Sequence, residues 1–137
     1  MNDFLHQAYM ETIYTISDKG KTFTLKINIP NLEFNSWCMA KKIDSWAIIT
    51  AFNPYSQEFT KGENEELNDQ LKKMIVKKNF SFNEAKGIPN TINWEEEDSF
   101  FIHNISLEEA QEIGSFFRQN AIVYGLNGGS KNIIWLV

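Results

Sequence analysis

Cysteine is almost missing from this chain: Cys38 is the one thiol among 137 residues. No internal disulfide can form, and a chain of this length buries enough surface to fold without one, or without a structural metal. The lone thiol points to a reducing, cytoplasmic setting. Histidine is scarce too, and neither His6 nor His103 has a second ligand at metal spacing. No metal site and no cofactor is read from the sequence. No apolar run approaches the roughly 20 residues of a membrane-spanning helix. Residues 1–6 lack the basic and apolar regions of a signal peptide, so none is expected. Positive charge is in deficit, with 13 basic against 18 acidic side chains and a net charge of −5. That balance argues against generic nucleic-acid binding and against an anionic membrane surface. The one basic cluster, Lys72, Lys73, Lys77 and Lys78, has no interleaved aromatics and reads as a solvated helix end.

What is present is a large apolar payload. Hydrophobic residues make up 42% of the chain, including eleven Phe and four Trp. This suffices for one core, so residues 1–137 are read as a single α+β domain. Residues 3–12 place Phe4, Leu5, Ala8 and Tyr9 near one helical face. Residues 11–17 and 22–28 alternate and meet at Asp18-Lys19-Gly20-Lys21, a β-hairpin that Pro30 ends. Residues 31–43 are ambiguous: Asn31 or Asn35 can cap a short helix containing Trp37, Met39 and Ala40. This helix and hairpin form an N-terminal extension, residues 1–44.

The stretch Trp46–Phe52 is apolar on both faces, with Trp46, Ile48 and Phe52 on one and Ala47, Ile49 and Ala51 on the other. A strand covered on both sides looks like this. Asn53-Pro54 stops it. A helix is expected over 63–78, with Asn64, Leu67, Asn68, Leu71, Met74 and Ile75 on one stripe. Strands follow at 80–85 and 99–104, with a loop over 87–93. Ser106 and Glu109 form a capping box for a helix running to about Phe117. Strands at 121–125 and 132–136 flank the Asn-Gly-Gly turn. From residue 45 this is a βαββαββ order, and its first six elements make the ferredoxin-like, or split βαβ, core of an antiparallel sheet. The last strand extends that core as a hairpin. The extension is expected to cover the bare face or the other edge.

That topology puts the exit of the first core strand between the entrances of its two neighbours. Asn53–Gln57, Trp94–Ser99 and Arg118–Asn120 are thereby predicted to converge, at the end where the 63–78 helix begins. Helix N–H groups there would favour an anion. Asn64 and Asn68, polar residues on the buried stripe of the first turns, need partners in the same place.

Taken together, Ala51-Phe52-Asn53-Pro54-Tyr55-Ser56, the Asn64 and Asn68 pair, Trp94 with Glu97-Asp98-Ser99-Phe100, and Phe117 through Tyr124 resemble the DUF3293 family of small bacterial proteins of unknown function. The resemblance covers residues 45–125. It implies that Asn53, Pro54, Asn64, Asn68, Trp94, Glu97, Ser99, Gln119 and Asn120 belong to the family motif. It implies no activity.

Each candidate has a functional and a structural reading. Asn53, Ser56 and Gln57 can present amides and a hydroxyl to a ligand, or tie down their own loop. Glu95, Glu96, Glu97 and Asp98 can supply a general base or hold Mg²⁺, or form a solvated loop. Arg118 can clamp a carboxylate or phosphate, or pair with that acidic run. Trp94 can stack on a ring, or plug the core. Cys38 and Ser56 lack the settings of nucleophiles.

The leading expectation is a binding protein for a small polar or anionic, nucleotide-like ligand. Asn53, Ser56, Asn64, Asn68, Trp94, Glu97, Arg118, Gln119 and Asn120 would form its site. The alternatives are an acidic protein-interaction module, of the inhibitor, immunity-protein or antitoxin type, and a metal-dependent hydrolase using the acidic run.

Overall fold

The computed structural model describes residues 3–90, 94–127 and 129–137. Helix α1 (Asp3–Glu11) precedes strands β1 (Ile13–Asp18) and β2 (Lys21–Leu25), and helix α2 (Leu32–Ala40) follows them. Strand β3 (Ser45–Ile49), helix α3 (Lys61–Lys77), strands β4 (Phe82–Ile88) and β5 (Glu97–His103), helix α4 (Leu107–Phe116) and strands β6 (Ala121–Leu126) and β7 (Ser130–Trp135) complete the chain.

The seven strands make one antiparallel sheet in the order β2-β1-β4-β5-β3-β6-β7. β3 lies between β5 and β6, with Ile48 opposite Phe101 on one side and Val123 on the other. Its two apolar faces face two cores. Ala47, Ile49 and Ala51 pack with Leu71 and Ile75 of α3 and Ala110 and Ile113 of α4. Trp46 and Ile48 pack with Phe34 and Cys38 of α2, Phe101 of β5 and Phe23 of β2. The Phe34 ring meets Trp46, Phe101 and Phe23 edge-on at 5.6, 5.7 and 5.7 Å. Such contacts each add about 0.5–1.5 kcal/mol beyond area burial.

The N-terminal extension, expected at the bare face or at the other edge, occupies both. Its hairpin adds β1 to the free edge of β4, with Tyr14 opposite Gly87. Lys19 and Gly20 turn the hairpin with φ values of 48° and 85°, as a two-residue type I′ loop requires. α2 then covers the face. Asn31 is its cap, accepting from the Phe34 amide at 2.9 Å, and Phe34 and Cys38 are its buried residues. Met39, placed in this helix by the sequence, is exposed. Burial in this core pushes the Cys38 thiol up to about 12, so it is inert as a nucleophile. The sheet curls around α2 until its edges approach. Lys131 of β7 donates to the carbonyls of Ile29 and Ile27, beyond β2, at 2.7 and 3.5 Å.

Helix and strand limits differ from expectation where backbone geometry outweighs pattern. α3 starts at Lys61, because Thr60 and Glu63 form a reciprocal capping box. The fourth strand runs over 82–88, not 80–85. Asn79, at φ 65°, turns the chain, and the Phe80 amide returns to the Ile75 carbonyl. Phe80 therefore closes the end of α3, Ser81 accepts from the His103 amide just before the strand, and Gly87 and Ile88, expected in a loop, stay in the ladder. Residues 91–93 of that loop and Gly128 of the final turn lie outside the described residues.

Gly125 faces Trp46 across the β3–β6 ladder, and a Cβ there would overlap the indole. Gly125→Ala should lower unfolding stability by about 1–3 kcal/mol, read as a lower urea midpoint at unchanged slope. An unshifted midpoint would mean that Trp46 can step aside.

Candidate functional site

When β3 leaves the ladder after Ile49 it is still buried, so its amides need other partners. Two asparagines of α3 supply them. Asn68 Oδ1 accepts from the Ala51 amide at 3.0 Å, and Asn64 Oδ1 from the Asn53 amide at 2.8 Å. The Asn53 side chain returns the contact: its Oδ1 accepts from Asn64 Nδ2 and from the Phe59 amide, both at 2.9 Å. Its Nδ2 donates to Glu97 Oε2 at 2.9 Å. Asn53, Tyr55 and Ser56 all have positive φ, a costly run for residues other than glycine.

The acidic run separates residue by residue. Glu95, Glu96 and Asp98 are exposed, and Glu96 pairs with Lys86 at 2.9 Å. Glu97 alone turns inward, where it receives Asn53 and, at 3.4 Å, the indole N–H of Trp94. Burial raises its pKa above the ordinary 4.5, and those two hydrogen bonds oppose the rise. The run does not gather at one place: Glu97 faces inward and the other three face solvent. Among the described residues no group of three His, Cys, Asp or Glu side chains could hold a metal ion.

The third segment arrives as expected. Gln119 Nε2 donates to the Phe52 carbonyl at 3.0 Å, and Asn120 Nδ2 to Ser56 Oγ at 2.7 Å. The Tyr55 amide donates to the Arg118 carbonyl at 2.7 Å. Arg118 itself corrects the sequence reading. Its side chain is exposed and makes no ion pair among the described residues, with the acidic run or otherwise. Its place is backbone-determined. It sits at φ 57° after α4, with its amide on Ser115 and the Gln119 amide on Gly114, the paired bonds of a Schellman helix end. The anion site expected at the start of α3 is also changed, since the Glu63 carboxylate bonds back to the Thr60 amide there.

The converging segments form one wall of a cavity of about 260 Å³. Asn53, Ser56, Trp94, Glu97, Ser99 and Gln119 line it, whereas Asn64, Asn68, Arg118 and Asn120 do not. Asn68 instead borders a second cleft with Glu65, Asp69 and Lys72. The opposite wall is α1, through Leu5, Ala8 and Tyr9, and the floor includes Tyr14, Ile48 and Phe52. Tyr9 also hydrogen-bonds Ser56, and burial raises its phenol pKa despite that bond. It packs edge-on against Trp135 of β7 at 5.1 Å. The sequence argument missed this roof. The apolar stripe of α1 was visible, and β1 begins at the cavity end of the sheet, but the pairing of β1 with β4 was needed to join the two facts.

Two outcomes follow. Asn53→Ala removes three side-chain bonds and leaves Glu97 and Asn64 short of partners. It should cost about 2–3 kcal/mol, whereas Arg118→Gly, which relieves a left-handed residue, should raise stability by up to about 1 kcal/mol. Both are read by chemical denaturation. The raised Glu97 pKa means that the folded chain holds more protons than the unfolded one above pH 4.5. Its contribution is therefore present at low pH and is lost as pH rises through the folded pKa. The stability of the wild type relative to Glu97→Gln should fall across that window, and a flat difference would refute the assignment.

No curated protein and no solved structure matches the chain. A family model described as protein of unknown function (DUF3293) matches residues 49–122, a span that runs from the end of β3 into β6 and holds Asn53, Asn64, Asn68, Glu97, Gln119 and Asn120. The chain belongs to the DUF3293 family.

Proposed function

We propose that this protein binds a small molecule in the cavity between α1 and the sheet. The observation that carries the reading is the cavity itself: about 260 Å³, with an apolar floor and roof and one polar wall built by Asn53, Glu97 and Gln119. Concave, largely apolar sites with a few convergent polar groups are the usual form of ligand pockets. A ligand would put an apolar body against Leu5, Tyr14 and Phe52 and a polar head toward Glu97. The ligand classes suggested by sequence are thereby narrowed. Among the described residues the cavity is lined by Glu11 and Glu97 and by no basic side chain, which disfavours a phosphate or other anion.

The same reading treats β3–α3–β4–β5–α4–β6 as a ferredoxin-like unit carrying the polar wall. Its spatial order, β4-β5-β3-β6, supports this. It also places the chain in a reducing compartment such as the cytoplasm, as the single buried Cys38 suggests. No helix among the described residues is long and apolar enough to cross a membrane.

A thermal-shift screen of metabolites tests the binding reading. A ligand present at about 100 times its Kd contributes about 2.7 kcal/mol, enough to raise Tm by roughly 8 °C. Ala8→Phe, which adds a ring from the roof, should abolish the shift while leaving the fold intact. A ligand whose shift survives Ala8→Phe binds elsewhere and would refute the site.

A further inference from the structure

The chemistry of the cavity wall names a ligand class, an inference that rests on the cavity being a binding site. Five aromatic rings border it: Phe4 and Tyr9 from α1, Tyr14 from β1, Phe52 after β3 and Trp94 before β5. Two glutamates border it as well, Glu11 from α1 and Glu97 from β5, and among the described lining residues there is no Lys, Arg or His. Rings present negative faces and attract cations, most strongly where water is excluded. A buried carboxylate acts in the same sense. Glu97 is also held in place, because Asn53 Nδ2 and Trp94 Nε1 both bond its Oε2. Among the described residues no donor stands on Oε1, which leaves that oxygen for a ligand N–H.

We propose that the cavity binds a small amphipathic amine, its protonated nitrogen at Glu97 and its apolar or aromatic body among Tyr9, Tyr14, Phe52 and Trp94. The titratable groups that sense Glu97 are the phenols of Tyr9 and Tyr14, while Glu11 lines the same cavity and accepts from Gln7. Burial raises both phenol pKa values above the usual range, so at neutral pH they are uncharged rings and hydroxyls. Among the described residues lining the cavity, the ligand cation therefore meets only negative or neutral partners. Since its pKa is raised by burial, Glu97 must lose its proton to form the pair, and amine affinity should climb with pH through that titration.

Three probes of one shape separate the possibilities: phenethylamine, 2-phenylethanol and 3-phenylpropanoate, each titrated into the full chain and followed by protein-detected NMR. The amine should bind about tenfold more tightly than the alcohol, and the carboxylate most weakly. The amine preference should shrink in Glu97→Gln and as the pH is lowered through the raised Glu97 titration. Equal affinities for amine and alcohol, or tightest binding of the carboxylate, would overturn the amine class and leave the cavity as a binding site. No shift at cavity residues with any probe would overturn both. The wild-type comparison and its pH arm decide the matter if Glu97→Gln fails to fold.

Discussion

A buried strand that leaves its sheet must find new partners for its amides, and this constraint shapes the protein around residue 51. Ala51 is fully buried, and its N–H lies beyond the last ladder position of β3. An unpaired amide there would cost roughly 1–3 kcal/mol. Asn68 and Asn64 meet the need from the first turns of α3. That choice fixes where α3 crosses the sheet, how the 53–60 loop folds, and where Asn53 can reach Glu97. A structural requirement of the chain exit thus builds the polar wall.

The fold was legible wherever one pattern decided one element. The two-faced apolarity of 46–52 requires a middle strand with cover on both sides, and the structure supplies α3 and α4 on one face and α2 on the other. Asn64 and Asn68 were legible for a related reason: polar residues on a buried stripe must be answered, and here they are. The convergence of 53–57, 94–99 and 118–120 was readable because strand order sets which strand ends are neighbours. What pattern could not supply was the roof, since α1 reaches the cavity only through the pairing of β1 with β4. Nor could it tell which glutamate turns inward, since alternation across 95–98 depends on register, and the Gly87–Glu97 pairing sets that register.

Arg118, beside Gln119 and Asn120, is positioned by its backbone. α2, α3 and α4 all end in the same paired hydrogen bonds, with Lys42, Asn79 and Arg118 at positive φ where glycine is usual. Helix ends of this kind are hard to foresee when no glycine marks them. They explain the displaced start of β4 and the outward direction of Arg118 together.

The contact of Lys131 with the carbonyls of Ile27 and Ile29 joins two segments that flank the family-matched region on opposite sides. Tyr9 and Trp135 join them a second time. An open sheet ordinarily frays from its margins inward, each margin by itself. Here the outermost strands are clasped to one another around α2, so neither can peel away without releasing the other. The margins should then exchange amide hydrogens as a single unit, and the curl of the sheet serves as the latch.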